Sequence, residues 1–135
     1  MTLTTVDSSV LIPALQSSHE AHEQAARVLR RANVRITGHV LIETYSNLTG
    51  GRLRPRVNTE LAATALGRFG APLALSPDGY VSTIRRCAEK GIMGGAVYDA
   101  LIAATAQQAD ARLVSRDHRA ARTYEAIGVG YELVV

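Results

Sequence analysis

Four acidic side chains occupy positions from which they could bind a hard metal ion. Asp7 directly follows the β-branched segment "TLTTV", and Asp117 follows the segment "ARLVS" by two residues. Ligands of open parallel sheets bind just beyond the carboxyl ends of the strands, so we expect both aspartates at that edge. Glu43 and Asp99 lie early in segments with helical spacing, and we expect them to point toward the same edge.

Asp99 is the most unusual of these acids, because it stands among apolar residues in "GAVYDALIAATA". In a helix, Ile102, Ala103 and Ala106 share its face, so the carboxylate is predicted to look inward. Burying an unpaired carboxylate costs several kcal/mol, about the stability margin of a domain. Three partners satisfy it: a helix N-terminus that it caps, a buried cation, or a metal ion shared with other acids.

Each of the remaining acids has an ordinary structural explanation when it is taken alone. Asp7 and Asp117 are suited to capping the helices that follow them, and Glu43 is suited to a solvated helix border. Taken together, four carboxylates without a nearby lysine repel one another, and Lys90 is the only lysine of the chain. A divalent cation relieves such repulsion, and ligation by oxygen alone favours Mg²⁺ or Mn²⁺ over Zn²⁺.

The elements that must position these acids alternate between strands and helices. Helical spacing covers most of the chain, with strands predicted at 2–6, 34–37, 71–76, 111–115 and 131–135. Alternation of this kind predicts parallel βαβ units. We therefore expect an α/β fold in which a central, mainly parallel sheet of about four to five strands is flanked by helices on both faces. Residues 1–135 are predicted to form a single domain.

The composition excludes several classes of protein. Hydrophobic residues make up 47% and charged residues 20% of the 135 residues, which argues against disorder. Aromatic residues are only 4%, too few for a platform that stacks single-stranded bases. The single Cys87 excludes an internal disulfide and a multi-cysteine zinc site. Neither a leader nor a long apolar run is evident, so we expect a cytoplasmic protein that does not enter the membrane.

Four segments together resemble a known family. "TVDSSVLIPAL", "GHVLIETYSNLTG", "YDALIAATA" and "LVSRDHRA" follow one another at spacings similar to those of PIN domains of the VapC toxin type, and the resemblance extends over essentially the whole chain. It implies a PIN-like domain and a Mg²⁺- or Mn²⁺-dependent endoribonuclease, in which an acidic cluster holds the ion and water hydrolyses an RNA phosphodiester bond. It also implies a VapB-type antitoxin as partner, and a homodimer.

The resemblance assigns roles to individual residues. The family's four acids match, in chain order, Asp7, Glu43, Asp99 and Asp117, as catalytic residues and as metal ligands. Ser115 matches a small hydroxyl residue two positions before the last acid, and Ser8 matches a small polar residue beside the first. His118 departs from the family pattern, and it is either a loop residue or a contact to phosphate.

Arginines near the acids are candidates for contacts to RNA or to the antitoxin. Arg52, Arg54 and Arg56 alternate in "GGRLRPRVN", and Arg116 and Arg119 flank Asp117. The alternative for each is an ordinary solvated charge. Binding to phosphates would be sensitive to salt.

Two other functions remain open from the sequence. A catalytically silent PIN-like binding module would keep the fold without cleaving RNA. A phosphatase built on an acidic cluster is disfavoured, because "DSS" has no second acid two residues after Asp7 and Lys90 is poorly placed to sense a phosphate.

Overall fold

The computed structural model describes residues 2–52 and 55–134, which form three strands and seven helices. The strands are β1 (Leu3–Val6), β2 (Ala111–Ser115) and β3 (Tyr131–Leu133). The helices are α1 (Ser8–Ala14), α2 (His22–Leu29), α3 (Gly38–Gly50), α4 (Thr59–Gly67), α5 (Pro77–Lys90), α6 (Ala96–Gln108) and α7 (His118–Ile127). All seven helices lie between the segments that were predicted as strands.

The sheet is parallel, in the order β1-β2-β3, and it has three strands rather than the predicted four to five. The two missing strands are reduced to single bridges, Thr4 with Val34 and Thr37 with Leu73. The predicted strand at 34–37 is short because its last residue, Thr37, is already the N-cap of α3. The second contains Pro72, which has no N–H to donate to a neighbouring strand.

The parallel register brings the carboxyl ends of β1 and β2 side by side. Val6 pairs with Val114, and the backbone N–H of Asp7 donates to the carbonyl of Val114 at 3.3 Å. Asp7 therefore lies next to Ser115, the last residue of β2. The predicted position of both strand ends at one edge is confirmed.

The helices that begin at this edge do so at polar caps. The side chain of Asp7 accepts from the backbone of Ser9 at the start of α1, and Asp117 accepts from Arg119 at the start of α7. Elsewhere in the chain, Thr37 caps α3 and Asn58 caps α4 in the same way. α7 ends at Gly128, whose φ of 92° is a left-handed conformation that glycine adopts without strain.

The core consists mainly of Ala, Val, Leu and Ile side chains. Leu113, Val114 and Ser115 are consecutive and all fully buried, so both faces of β2 are covered. α6 packs on β2 through small side chains, and Ala100, Ala103 and Ala106 have no exposed surface. Small residues allow the helix axis to approach the sheet closely, which brings Asp99 near the strand ends. No helix among the described residues is long and apolar enough to cross a bilayer.

Leu113, at the centre of the sheet, provides a test of this packing. Leu113→Ala is expected to lower the free energy of unfolding by about 2–5 kcal/mol, because it leaves a cavity where β2 pairs with both neighbours. Leu61→Ala is the matched control, since Leu61 is 66% exposed and its truncation should cost less than about 1 kcal/mol. Urea denaturation measures both values, and equal losses would contradict this description of the core.

Candidate active site

Asp7 is a buried carboxylate whose two oxygens are both hydrogen bonded. Its side chain lies at the junction of β1 and α1, and the residue is only 4% exposed. Oδ1 accepts from the backbone N–H of Ser9 at 3.0 Å and from the Ser9 hydroxyl. Oδ2 accepts from the hydroxyl of Ser115 and, at 2.6 Å, from that of Tyr124. The carboxylate is therefore held in one orientation by groups from three elements of the fold.

The two serines connect Asp7 to the turn that carries Asp117. Their hydroxyl oxygens are 3.3 Å apart. The Ser9 hydroxyl accepts from the backbone N–H of Arg116 at 2.8 Å, and the Ser115 hydroxyl accepts from that of Asp117 at 3.0 Å. The turn between β2 and α7 is therefore held against the start of α1, and the first and last acids keep a fixed spacing.

Tyr124 is a fully buried side chain on α7 whose hydroxyl ends among the acids. Burial raises the pKa of its phenol most, and the negative charges of Asp7, Asp99 and Asp117 raise it further. The phenol therefore stays protonated and remains a donor to Asp7 at neutral pH.

Asp99 lies on the inner face of α6, as its helical spacing predicted. Ile102, Ala103 and Ala106, which share that face, are buried, whereas Asp99 itself is half-buried. It does not cap the helix, because Gly95 occupies the N-cap position. Its pKa is raised from 3.8 to about 6, first by burial and then by the charges of Asp117, Asp7 and Glu43. Of the three partners considered from the sequence, the helix cap is excluded. No positively charged side chain of the described residues is among the causes that shift the pKa of Asp99.

Glu43 and Asp117 complete the group from two other helices. Both are half-buried, Glu43 on α3 and Asp117 at the start of α7. One oxygen of Asp117 accepts from the backbone N–H of Arg119 at 2.9 Å, so this acid is a helix cap and a member of the acidic group at the same time. Both charges act on Asp99, which places them near it.

The structure therefore brings the four predicted acids close enough for the charges of Asp7, Glu43 and Asp117 to act on Asp99. Within residues 2–52 and 55–134, no three Asp, Glu, His or Cys side chains are already arranged around one point as metal ligands. The donor set nevertheless suits a hard divalent cation, because it consists of carboxylate oxygens, and the charges of three of the acids add to the effect of burial in raising the pKa of Asp99.

The remaining predicted site residues differ in their positions. Ser115 contacts Asp7 directly, whereas the described hydrogen bonds to Asp7 from α1 come from Ser9 and not from Ser8. Arg116 is half-buried, and its guanidinium donates to Gln24 and to the carbonyl of Ser9. Two of its five N–H donors are thus already used within the protein, which makes it a poorer candidate for a contact to RNA than the exposed arginines.

The other candidate arginines are exposed wherever the structure describes them. Arg52 and Arg56 are exposed on the connection after α3, and Arg54 lies outside the described residues. Arg119 is exposed on the first turn of α7. Together with His118 and Arg122 it lines an open concavity of about 450 Å³ immediately after Asp117.

Ser9 and Tyr124 are the two site residues that the sequence reasoning missed. Ser9 had a local signal, since a hydroxyl two residues after an N-cap aspartate can donate to it. Tyr124 lies on a buried stripe of α7 with Ala120, Thr123 and Ile127, which indicates its burial. Its bond to Asp7, 117 residues earlier in the chain, depends on the tertiary fold and has no local signal.

Comparison with known proteins gives consistent matches over nearly the whole chain. The PIN domain family matches residues 4–126. Among curated proteins, ribonuclease VapC40 of Mycobacterium tuberculosis is 41% identical over 95% of this chain and 96% of its own length. Ribonuclease VapC27 of the same species is 43% identical over 92% of this chain and 91% of its own length.

A solved structure has the same fold at low sequence identity. The crystal structure of VapBC2 from Rickettsia felis, bound to a DNA fragment from its promoter, matches with a TM-score of 0.69 and 15% identity. The match covers 99% of this chain and 100% of the other. At this identity the likeness concerns the fold alone.

The raised pKa of Asp99 predicts a specific pH dependence of stability. Because its folded-state pKa of about 6 exceeds its ordinary value of 3.8, the native state binds more protons than the unfolded state between these values. The Asp99 charge therefore costs stability that appears as the pH rises from about 4 to 6. Asp99→Asn removes this cost, so without metal it should raise the free energy of unfolding at pH 7.5 relative to pH 4.

The expected gain is about 1 kcal/mol, because solvent screens a half-exposed charge. Urea denaturation of wild type and variant in a chelator at both pH values measures it. Asp78→Asn, which neutralises an exposed acid on α5, should show no such difference between the two pH values. A gain from Asp99→Asn that is the same at both pH values would contradict the electrostatic origin.

Proposed function

Because this chain belongs to the PIN domain family, we propose that it is a metal-dependent endoribonuclease and the toxin of a type II toxin–antitoxin pair. The proposal is supported by relatives named as VapC ribonucleases that are more than 40% identical over more than 90% of each chain. The observation that carries it within the molecule is the junction of β1 and β2, where the Ser115 hydroxyl donates to Asp7 and accepts from the backbone N–H of Asp117, so that two of the acids are held close together. The pKa of Asp99 is raised to about 6, first by burial and then by the charges of Asp117, Asp7 and Glu43, which supports a shared acidic group.

The four acids are the proposed ligands of Mg²⁺ or Mn²⁺. Asp7 and Asp99 are the principal candidates, with Glu43 and Asp117 in support. When bound, such an ion supplies a water of lowered pKa and neutralises charge that develops on the phosphoryl oxygens. The protein's own contribution is to hold the acids on four different elements. Asp7 is fixed by its hydrogen bonds, and Asp117 by its role as the cap of α7.

A site of four carboxylates repels the phosphates of RNA, so the substrate must be held by nearby cations. The concavity lined by His118, Arg119 and Arg122 follows Asp117 directly and lies on the positive N-terminal half of α7. All three side chains are exposed. We therefore propose that Arg119, with Arg122 and His118, contacts the backbone of the RNA. Arg52 and Arg56 are secondary candidates.

The proposed protein partners are a VapB-type antitoxin and a second copy of this chain. Contact with a partner would cover several large apolar side chains that are exposed among the described residues. They include Ile42, Val81, Ile84 and Met93, each at least 66% exposed. A cytoplasmic location and a single-domain organisation complete the proposal.

The second candidate function is a PIN-like module that binds RNA without cleaving it. It would keep the fold and the basic concavity, and it differs from the nuclease by its lack of turnover. A phosphatase would spare RNA and hydrolyse phosphomonoesters. Incubation of the purified chain with mixed RNA and with a phosphomonoester, with and without Mn²⁺, separates all three.

Neutralising the principal acids should abolish cleavage without unfolding the protein. Asp7→Asn and Asp99→Asn are each expected to reduce the rate of Mn²⁺-dependent RNA cleavage at least about 100-fold, because each removes a charged ligand of the ion. Asp78→Asn is the control, since that acid is exposed on α5. Gel-resolved cleavage and circular dichroism provide the measurements. Wild-type rates in either site variant would refute the assignment of the acids.

Neutralising the arginines that line the concavity should weaken RNA binding in a salt-dependent way. The double variant Arg119→Gln/Arg122→Gln is expected to lower the slope of log affinity against log salt by about 1 to 2, because single-stranded RNA releases somewhat less than one counterion per phosphate contact. Fluorescence anisotropy with a labelled single-stranded RNA in a chelator, which prevents cleavage, measures the slope. The control Arg68→Gln/Arg85→Gln makes the same charge change at the residue that follows α4 and on α5. If both double variants change the slope equally, the concavity has no special role.

A further inference from the structure

Every acceptor position of the Asp7 carboxylate is already occupied. A carboxylate offers about four lone-pair positions, two on each oxygen. Here Oδ1 accepts from the backbone and the hydroxyl of Ser9, and Oδ2 accepts from the hydroxyls of Ser115 and Tyr124. A cation that binds Asp7 must therefore take the place of one of these donors.

The four donors differ in their freedom to move. The backbone N–H of Ser9 belongs to the first turn of α1 and cannot leave without uncapping the helix. The hydroxyl hydrogens of Ser9 and Ser115 can each rotate away from Asp7 while the oxygens go on accepting from the backbone N–H groups of Arg116 and Asp117. The Tyr124 ring has no exposed surface, and it packs against Tyr131 with 6.1 Å between ring centroids. Its hydroxyl is held in place by the core.

The same helix that carries Tyr124 also carries Asp117. Asp117 caps α7, and Tyr124 follows seven residues later, which is about two helical turns and returns to the same side of the axis. Asp117 and Tyr124 therefore both lie on the face of α7 that is directed at the acidic group. An anchor between Tyr124 and Asp7 fixes the depth at which α7 sits, and so the distance from Asp117 to Asp7.

We infer that Tyr124 is the positioning residue of the proposed metal site. Its hydroxyl stays on Oδ2 and fixes the plane of the Asp7 carboxylate, whereas the hydroxyl of Ser115, the other donor to Oδ2, gives up its place on the carboxylate to the incoming cation. This inference rests on the proposed function, because it requires that Asp7 binds the ion. It assigns opposite behaviour to two donors of the same oxygen.

Mn²⁺ affinity provides a test that does not depend on catalysis. Tyr124→Phe removes the fixed donor and keeps the ring, so we expect Mn²⁺ to bind at least about tenfold more weakly in titration calorimetry. Tyr131→Phe is the matched control, because it removes a hydroxyl from the adjoining ring. That hydroxyl is 3.4 Å from Glu125 and has no described contact with Asp7. The control should keep wild-type affinity.

Ser115→Ala tests the division between fixed and movable donors. It removes a donor from the same oxygen, Oδ2, together with the acceptor for the backbone N–H of Asp117, and we still expect a loss of Mn²⁺ affinity clearly smaller than that of Tyr124→Phe. Circular dichroism and metal-free urea denaturation establish that each variant is folded at the temperature of titration.

The possible outcomes separate this inference from the proposed function. Wild-type affinity in Tyr124→Phe, or equal losses in Tyr124→Phe and Ser115→Ala, would overturn the inference while leaving the metal site in place. A wild-type chain that binds no Mn²⁺ would overturn both. A selective loss in Tyr124→Phe supports the positioning role.

Discussion

The repulsion among four carboxylates at one edge of the sheet is the constraint on which the rest of this structure depends. Asp99 is half-buried among apolar side chains, and its pKa is raised to about 6, first by that burial and then by the charges of Asp117, Asp7 and Glu43. Such a group lowers the stability of the fold at neutral pH. A bound divalent cation would offset this loss of stability, which explains how the fold can keep the four acids together.

The same residues serve the fold and the proposed site, so the two explanations do not compete. Asp7 caps α1 through one oxygen and is held by Ser115 and Tyr124 through the other. Asp117 caps α7 through one oxygen, and its charge acts on Asp99. Capping fixes each carboxylate at a helix start, and the parallel register of β1 and β2 brings these two helix starts together.

Much of this arrangement was predictable from local patterns, and the rest required the tertiary fold. Helical spacing correctly predicted the inward face of Asp99, and the strand ends correctly predicted the positions of Asp7 and Asp117. The predicted number of strands was wrong, because a segment that forms only a single bridge has the same local sequence pattern as a short strand. The engagement of Arg116 with Gln24, like the bond from Tyr124 to Asp7, joins residues far apart in the chain, which periodicity cannot pair.

The most direct test of this account is a crystal structure of the protein grown with Mn²⁺, with anomalous scattering used to locate the ion. We predict an anomalous peak between α6 and the start of α1, with carboxylate oxygens of Asp7 and Asp99 in its coordination sphere. Glu43 or Asp117 should contact the ion directly or through water. A structure in which Mn²⁺ saturates other positions and leaves Asp7 and Asp99 without a shared ion would contradict the account.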